Sequence, residues 1–333
     1  MTLDANTRDW SPSPALSHPS RRSSLVDVVG LGASSVDYVN LLPCAPGGAA
    51  AETKLRINAH FVSCGGQVAT MLATCGELGL RTRFLGPIGN DANGRRVRED
   101  LAARKVDLSD VIIREADNQF AVVLVDQSTG ERTVLWHRDP RLLLGDAPID
   151  PAILEGRVLH VDDVDEEASI RVARLAVRAG VTVTSDLDRM TDRTPELVRS
   201  VSVPIFAEHL PPLLTGERDP ERALRKLRRV HQGLLCVTLG TNGAMALDGD
   251  RIVHSPAFAV NAVDTTGSGD VFRAGFVYGM LAGWPTAEVL RFSNAAAAVS
   301  VTRLGAMAGA PSLSEVETLL EHGQSLAFTA PHA

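Results

Sequence analysis

Residues 263–270 read Val-Asp-Thr-Thr-Gly-Ser-Gly-Asp, and an apolar run of small and large side chains follows at 271–281. This pattern predicts a polar turn that leads directly into a buried helix. The first N–H groups of a helix have no partner within it, and Gly267 and Gly269 allow another group to approach the backbone closely. The stretch therefore predicts an anion site. Asp270 falls in the first turn, where a carboxylate either caps the helix or acts as a base beside a bound phosphate.

The rest of the chain alternates between strand and helix patterns. Residues 25–32 predict a buried first strand, residues 158–184 a strand–helix–strand unit, and residues 234–240 another buried strand. This alternation predicts an α/β fold, doubly wound, with a mostly parallel sheet and helices on both faces.

Two extended runs at 120–126 and 133–136 are separated by a polar loop. Together with residues 57–62 they predict either a small antiparallel sheet, which would cover a ligand, or an ordinary edge hairpin.

Composition excludes several classes of function. The formal charge is −7 and no run of Lys or Arg forms a basic stripe, which argues against nucleic-acid binding. No apolar run approaches the roughly 18 residues that span a bilayer. None of the four cysteines lies in a CxxC pair, so neither a zinc site nor a disulfide framework is predicted, and a cytoplasmic location is expected. Residues 1–24, rich in Ser and Pro, predict a disordered extension, 25–325 the folded domain, and 326–333 a tail.

A dinucleotide-binding site is not predicted. Gly30 and Gly32 follow the first strand, but the third glycine is missing, and Pro43 and Pro46 lie where that motif requires a helix. Asp37, just beyond this strand, is equally compatible with a ligand-binding carboxylate and with a loop carboxylate. The acidic residues at 162–167 are better explained by the dipole of the helix that follows, while Asp186 and Asp188 are ambiguous.

By these motifs the chain resembles the ribokinase-like, PfkB-type carbohydrate kinases. Residues 264–270, with Ala274 and Gly275 after them, match the carboxyl-terminal signature of that family, and the Gly65-Gly66 helix with residues 86–94 resembles its amino-terminal signature. The resemblance extends from about residue 26 to 320. It implies a doubly wound domain with a small β-lid formed from about 37–63 and 118–138. It also implies a sugar acceptor, ATP as donor, and Mg²⁺ bound with the ATP.

The resemblance also implies roles for single residues. Asp270 would be the catalytic base, and the backbone N–H groups of Gly267, Ser268 and Gly269 would form the anion hole. The implied acceptor-binding residues are Asp37, Gly65 and Gly66, and the implied nucleotide-binding residues are Thr238, Gly240, Gly243, Thr265 and Asn294. A monovalent cation (K⁺) beside the 264 loop and a homodimer formed through the lid are further expectations from the family.

Two departures from the family pattern affect the predicted site. Thr70 stands where the family has an Asn that contacts the sugar, so we expect an altered sugar site. The Asn-x-x-Glu element of the family falls at 207–210, where Glu208 alone offers a metal ligand. Arg273, one helical turn after Asp270, is predicted to bind an anionic acceptor, to pair with Asp270, or to contact a phosphate of ATP.

Three functions remain open from the sequence. An ATP-dependent sugar kinase is the leading hypothesis, because residues 264–270 carry the complete pattern. A nucleoside kinase would need aromatic partners in the lid, and Phe61, Phe120 and Trp136 are available. A ligand-sensing protein that kept the fold without turnover is the third hypothesis, suggested by the incomplete Asn-x-x-Glu element.

Overall fold

The computed structural model describes residues 26–46, 54–129 and 132–326. Its strands are β1 (Val26–Leu31), β2 (Ser35–Leu42), β3 (Ala59–Gly65), β4 (Thr82–Phe84), β5 (Pro87–Gly89), β6 (Ile112–Arg114), β7 (Phe120–Asp126), β8 (Arg132–His137), β9 (Gly156–Asp162), β10 (Thr182–Leu187), β11 (Val203–Phe206), β12 (Leu235–Thr238), β13 (Ala244–Asp248) and β14 (Arg251–Ser255). Its helices are α1 (Gln67–Glu77), α2 (Ala92–Ala103), α3 (Glu166–Arg178), α4 (Thr194–Ser200), α5 (Leu210–Thr215), α6 (Pro220–Leu227), α7 (Ser268–Ala282), α8 (Thr286–Ser300) and α9 (Leu313–His322).

The main sheet has eight strands in the order β14-β13-β12-β11-β10-β9-β1-β4. Strand β1 pairs in parallel with both β4 and β9, and β13 is the strand of this sheet that runs opposite to the other seven. The predicted α/β fold with a mostly parallel sheet is confirmed. The strand order changes direction at β1, and ligands bind beyond the carboxyl ends of the strands at such a point in open α/β sheets.

Helices cover both faces of this sheet, which is why its strands are apolar on both sides. On one face, buried side chains of α3, α4, α5 and α6 pack against β1, β9, β10 and β12. On the other face, α1 and α7 pack on Val28 and Val158, and Phe272 and Phe276 of α7 join α8 over the β11–β14 end. Helix α7 is therefore held along its length by the core, and its amino-terminal end is fixed in place.

A second sheet has the strand order β3-β2-β7-β8. The expected antiparallel lid sheet is wrong in one respect, because β2 and β7 pair in parallel, from Val36 opposite Phe120 to Leu42 opposite Asp126. The sequence analysis placed residues 37–63 in the lid but did not predict β2, whose eight residues form a strand that ends just before Pro43. Strands β5 and β6 form a small third sheet.

The predicted extension at 1–24 lies outside the described residues, as does the predicted tail apart from Leu326. Within the part of the chain that the structure describes, no helix is both long enough and apolar enough to cross a membrane. Cys44, Cys64, Cys75 and Cys236 are free thiols.

Candidate active site

The turn before α7 is fixed by one carboxylate and one glycine. Asp264 accepts hydrogen bonds from the Thr266 N–H at 2.9 Å, from the Thr266 hydroxyl at 2.7 Å and from the Gly305 N–H at 2.9 Å. Gly267 has φ +77°, and a Cβ on it would lie 2.6 Å from the Cβ of Ala306. A residue with a side chain at position 267 would thus adopt an unfavourable backbone conformation, and its Cβ would also clash with Ala306.

The start of α7 exposes backbone donors beyond this turn. By helix geometry the N–H groups of Gly269 and Asp270 have no carbonyl partner within α7. The Ser268 N–H, which the sequence also assigned to the anion hole, makes a long 3.3 Å contact with the Thr265 carbonyl. A ligand oxygen that binds Ser268 would compete with that weak bond.

Asp270 is partly buried in the first turn of α7, beside two charged side chains. Its carboxyl group is hydrogen-bonded to that of Asp186, at the carboxyl end of β10. Burial and the negative charge of Asp186 raise the pKa of Asp270 well above its ordinary value, against the opposing effect of Arg273. Asp270 is therefore coupled to a second carboxylate, which the sequence reasoning left ambiguous.

Arg273 lies behind Asp270 and contacts the protein itself. Its side chain is 3% exposed, its Nη2 is 2.7 Å from Oδ1 of Asp186, and Nη2 also donates to the Ile205 carbonyl at 3.3 Å. The sequence suggested an acceptor anion or Asp270 as partners of Arg273. The buried guanidinium is closed to an acceptor anion, and its ion-pair partner is not Asp270. The guanidinium pairs with Asp186.

Further carboxylates line the same edge of the sheet. Asp162, at the end of β9, is fully buried and accepts a hydrogen bond from the Ala33 N–H at 2.6 Å, and burial raises its pKa to about 6. Asp163 accepts from the N–H groups of Asp188 and Arg189. The helix-dipole interpretation suits Asp165, which caps α3, but it is wrong for Asp162 and Asp163. Their position at the end of a buried parallel strand was the signal that could have identified them.

Asp37 and the two glycines predicted for the acceptor lie together. A Cβ on Gly65 would lie 2.6 Å from Oδ2 of Asp37, and one on Gly66 would lie 2.7 Å from the Ala33 carbonyl. Only glycine at these positions keeps the Asp37 carboxylate and the start of α1 where they are. Burial raises the pKa of Asp37 to about 6, partly offset by a 3.2 Å hydrogen bond from the Ser35 hydroxyl.

Thr70 lies in the first turns of α1 and has no exposed surface. Its hydroxyl has no hydrogen-bond partner among the described residues. The residue that replaces the family's Asn is thus packed, and its polar atom is left without a bond from the protein.

The residues predicted for the nucleotide surround the turn after β12. Gly240 and Gly243 both have positive φ, and a Cβ on Gly243 would lie 2.1 Å from the Ser255 carbonyl. The hydroxyl of Thr238 donates to the Phe206 carbonyl at 3.3 Å. Asn294 is buried on α8 and donates to the carbonyls of Ser255 and Pro256 at 2.8 and 3.1 Å. Asn294 therefore fixes the loop after β14, next to the glycine turn.

Glu208 and Thr265 are both exposed. Oε2 of Glu208 would be 3.8 Å from a Cβ placed on Gly240, so this carboxylate borders the glycine turn. Glu208 also lines an open cleft of about 240 Å³ with His209, Arg218 and Asn242. No cluster of three or more metal-ligating side chains occurs among the described residues.

A helix start that presents N–H groups beside a carboxylate, at the crevice of a doubly wound sheet, is an arrangement suited to phosphoryl transfer. A family profile described as pfkB family carbohydrate kinase matches residues 35–313. The chain belongs to this family, and it is a carbohydrate kinase.

Individual relatives agree with the family. The chain is 30% identical over 274 residues to the ATP-dependent ribose-1-phosphate kinase of Halopiger xanaduensis, which covers 81% of this chain and 90% of that protein. It superposes on ribokinase from Thermotoga maritima with a TM-score of 0.77 at 26% identity, covering 90% of this chain and 100% of the other. It is equally similar, with a TM-score of 0.77 and 26% identity, to Arabidopsis thaliana ribokinase complexed with ribose and ATP, over 89% and 99% of the two chains.

Proposed function

We propose that this kinase transfers the γ-phosphoryl group of ATP to a hydroxyl of a small sugar, with Asp270 as the general base. The observation that carries the assignment is the position of Asp270 in the first turn of α7, next to the N–H groups that the Gly267 turn exposes. A base and an anion site are then within one helical turn of each other. The ribose and ATP of the Arabidopsis complex support the choice of substrates.

In this reaction the acceptor hydroxyl gives its proton to Asp270 while its oxygen forms a bond to the γ-phosphorus. The bond from that phosphorus to the β,γ-bridging oxygen breaks, and ADP leaves with the bonding electrons. Negative charge on the transferring group faces the backbone N–H groups at the start of α7. The Asp264 carboxylate contributes indirectly, because it holds the turn that aims these donors.

Asp37, with Gly65 and Gly66 beneath it, is the proposed acceptor-binding group. Cross-strand register places Trp136 of β8 opposite Ala121, which is itself opposite Asp37, so Trp136 and Asp37 share one face of the second sheet. Trp136 is 65% exposed and can cover a ring held by Asp37. Phe120 packs against Tyr38 and His137 instead, and therefore is a poorer partner for a nucleoside base.

ATP would bind against the turn Gly240–Asn242, beside Thr238, Thr265 and the loop that Asn294 fixes. Mg²⁺ usually keeps several waters and is held by phosphates plus one or two carboxylates, so the single carboxylate of Glu208 beside that turn fits such an ion. When bound, the ion supplies positive charge to the phosphates. A monovalent cation such as K⁺ would bind between the Asp264 turn and residues 306–310.

The test is ADP release measured with ribose, fructose, ribose 1-phosphate and adenosine as acceptors. We expect turnover with a sugar or sugar phosphate, and a loss of about 10²–10⁴ in kcat for Asp270→Asn. Glu221→Gln is the matched control, because Glu221 is also an acidic residue in the first turn of a helix, α6, and among the described residues it forms an ion pair with Arg225 alone, at the surface. Near-normal turnover of Asp270→Asn would remove Asp270 as the base.

Two other results, one from this assay and one that adds calorimetry, would favour the other hypotheses. Turnover with adenosine alone would identify a nucleoside kinase. Binding of a sugar by calorimetry, without ADP release from any acceptor, would identify a ligand-sensing protein.

We also propose that the enzyme works in the cytoplasm, where ATP and reduced thiols occur together.

We propose further that two copies of the chain associate through β8. Val134, Leu135 and Trp136 are 52, 56 and 65% exposed on this edge strand. Edge strands with exposed apolar side chains pair readily with a second chain. Light scattering should show a dimer that Leu135→Lys dissociates, and a monomeric parent protein would contradict the association.

A further inference from the structure

We propose that Arg273 and Asp186 are positioning residues for Asp270, and that the positive charge of Arg273 offsets the negative charge of Asp186, so that Asp270 can lose its proton, and take one from the acceptor hydroxyl, at a lower pH than it could without Arg273. The inference rests on the proposed role of Asp270 as the base. It assigns a function to a buried arginine that the acceptor and nucleotide sites do not use.

Asp186 contacts both of the other two side chains. Asp186 is 2% exposed, its Oδ1 is 2.7 Å from Nη2 of Arg273, and its carboxyl group is hydrogen-bonded to that of Asp270. Nη1 of Arg273 lies 2.8 Å from where a Cβ on Gly269 would be, so the guanidinium lies directly beneath the first turn of α7. A side chain at position 269 would displace it. The second glycine of the turn thus makes room for the arginine as well as for a phosphate.

Most of the other groups around this pair are negatively charged or neutral. Asp162, Asp163 and Asp188 each raise the pKa of Asp186, which burial brings to about 7 although Arg273 lowers it. His160 is neutral, because burial lowers its pKa to about 3. The Cys236 thiol is neutral too, because burial raises its pKa to about 12. Arg273 is the cation that contacts Asp186 itself, whereas Arg189 pairs with Asp163, its Nε lying 3.2 Å from Oδ1.

Two hydrogen-bonded carboxyls share protons, and their environments decide which one keeps its charge. Asp186 is the one in contact with the guanidinium, which favours its charged form, so a proton shared by the pair favours Asp270. Arg273 limits the effect of Asp186 on Asp270, because its positive charge cancels much of the negative charge behind the base. Without Arg273, Asp270 would hold its proton to higher pH and could not take one from the acceptor hydroxyl.

The test is the acidic limb of the kcat–pH profile in two opposing variants. An opposite charge within a few ångströms lowers the pKa of a carboxyl by about 1–3 units, and a like charge raises it. Arg273→Gln should therefore move the limb to higher pH by about 1–3 units, with kcat on the high-pH plateau retained, and Arg273→Lys should restore most of the shift. Asp186→Asn should move the limb to lower pH. A loss of kcat by one constant factor at every pH in both variants would overturn the proposal, since that is the result of a structural defect alone.

A second measurement works without any turnover. Carboxyl ¹³C resonances of protein labelled at aspartate report each titration, and the resonance missing from Asp270→Asn belongs to Asp270. We expect its midpoint to rise in Arg273→Gln and to fall in Asp186→Asn. An unchanged midpoint in both overturns the inference, whereas shifted midpoints in a protein that phosphorylates no acceptor would overturn only the kinase assignment. If Arg273→Gln fails to fold, the other two variants still test the proposal. Arg273→Lys must leave the midpoint of Asp270 near that of the parent protein, and Asp186→Asn must lower it.

Discussion

Replacing Gly267 by Ala tests the turn on which the proposed anion site depends. Gly267 and Gly283 flank the same helix, α7, with nearly equal φ values of +77° and +75°. A Cβ on Gly283 would meet nothing within 4 Å, whereas a Cβ on Gly267 would lie 2.6 Å from the Cβ of Ala306 and 2.8 Å from its Cα. Gly283→Ala is therefore a matched control for backbone strain without the clash.

The expected magnitudes follow from these two terms. A left-handed conformation costs an L-residue about 1–2 kcal/mol, which both variants should lose. Overpacking adds about 1–3 kcal/mol for Gly267→Ala, so its free energy of unfolding should fall by about 2–5 kcal/mol altogether. Because the clash moves the turn that aims the donors, kcat should also fall, by about 10²–10³ if a donor is displaced.

Chemical denaturation and the ADP-release assay measure both effects. Ala306→Gly in the Gly267→Ala background should recover part of the loss, but not all, because the Cα of residue 306 remains within 2.8 Å. The reasoning would be refuted if both alanine variants lost the same stability and if the kcat of Gly267→Ala stayed within about twofold of the parent.

Three further predictions concern the acceptor and donor sides. The pKa of Asp37 is raised to about 6, so most of this carboxylate is protonated at pH 5. KM for the acceptor should therefore rise about tenfold between neutral pH and pH 5. The KM of Asp37→Asn should lack this dependence on pH. Asn294→Ala leaves the buried Ser255 carbonyl and the partly buried Pro256 carbonyl without this donor. It should lower the free energy of unfolding by about 1–3 kcal/mol in urea, with weaker ATP binding by calorimetry, and unchanged values would contradict the role. Thr70→Val should cost no stability in thermal unfolding, because the Thr70 hydroxyl has no partner among the described residues, and a loss above about 1 kcal/mol would contradict this.

The start of α7 was predictable because its causes are local in sequence. Glycine at 267 and 269, a carboxylate at 264 and another at 270 determine the turn, the helix start and the exposed donors within seven residues. The main sheet was predictable for a similar reason, since buried parallel strands are continuous apolar runs separated by helical patterns. Strand β2 was not, because its pairing with β7 is decided by a distant segment.

The partners of Asp270 could not be read from the sequence. Asp186 and Arg273 are far apart in the chain and meet only because β10 lies beneath the first turn of α7. Spacing alone placed Arg273 on nearly the same helix face as Asp270, which made an acceptor contact equally reasonable. In the structure the Arg273 side chain is buried and pairs with Asp186 instead. This burial depends on the packing of α7 against the whole sheet, which the sequence spacing does not reveal.

This burial also bears on why the pair is present. Removing two charges from water is costly, and replacing a buried ion pair by apolar residues is often neutral or stabilises a protein by about 1–4 kcal/mol. The Asp186–Arg273 pair is therefore a poor candidate for a stabilising feature of the core. Its position one hydrogen bond behind the proposed base gives it a different effect, which is to set the charge of Asp270. A protein that carried apolar residues at both positions could be as stable as this one, but its Asp270 would be a carboxylate without a neighbour to orient it.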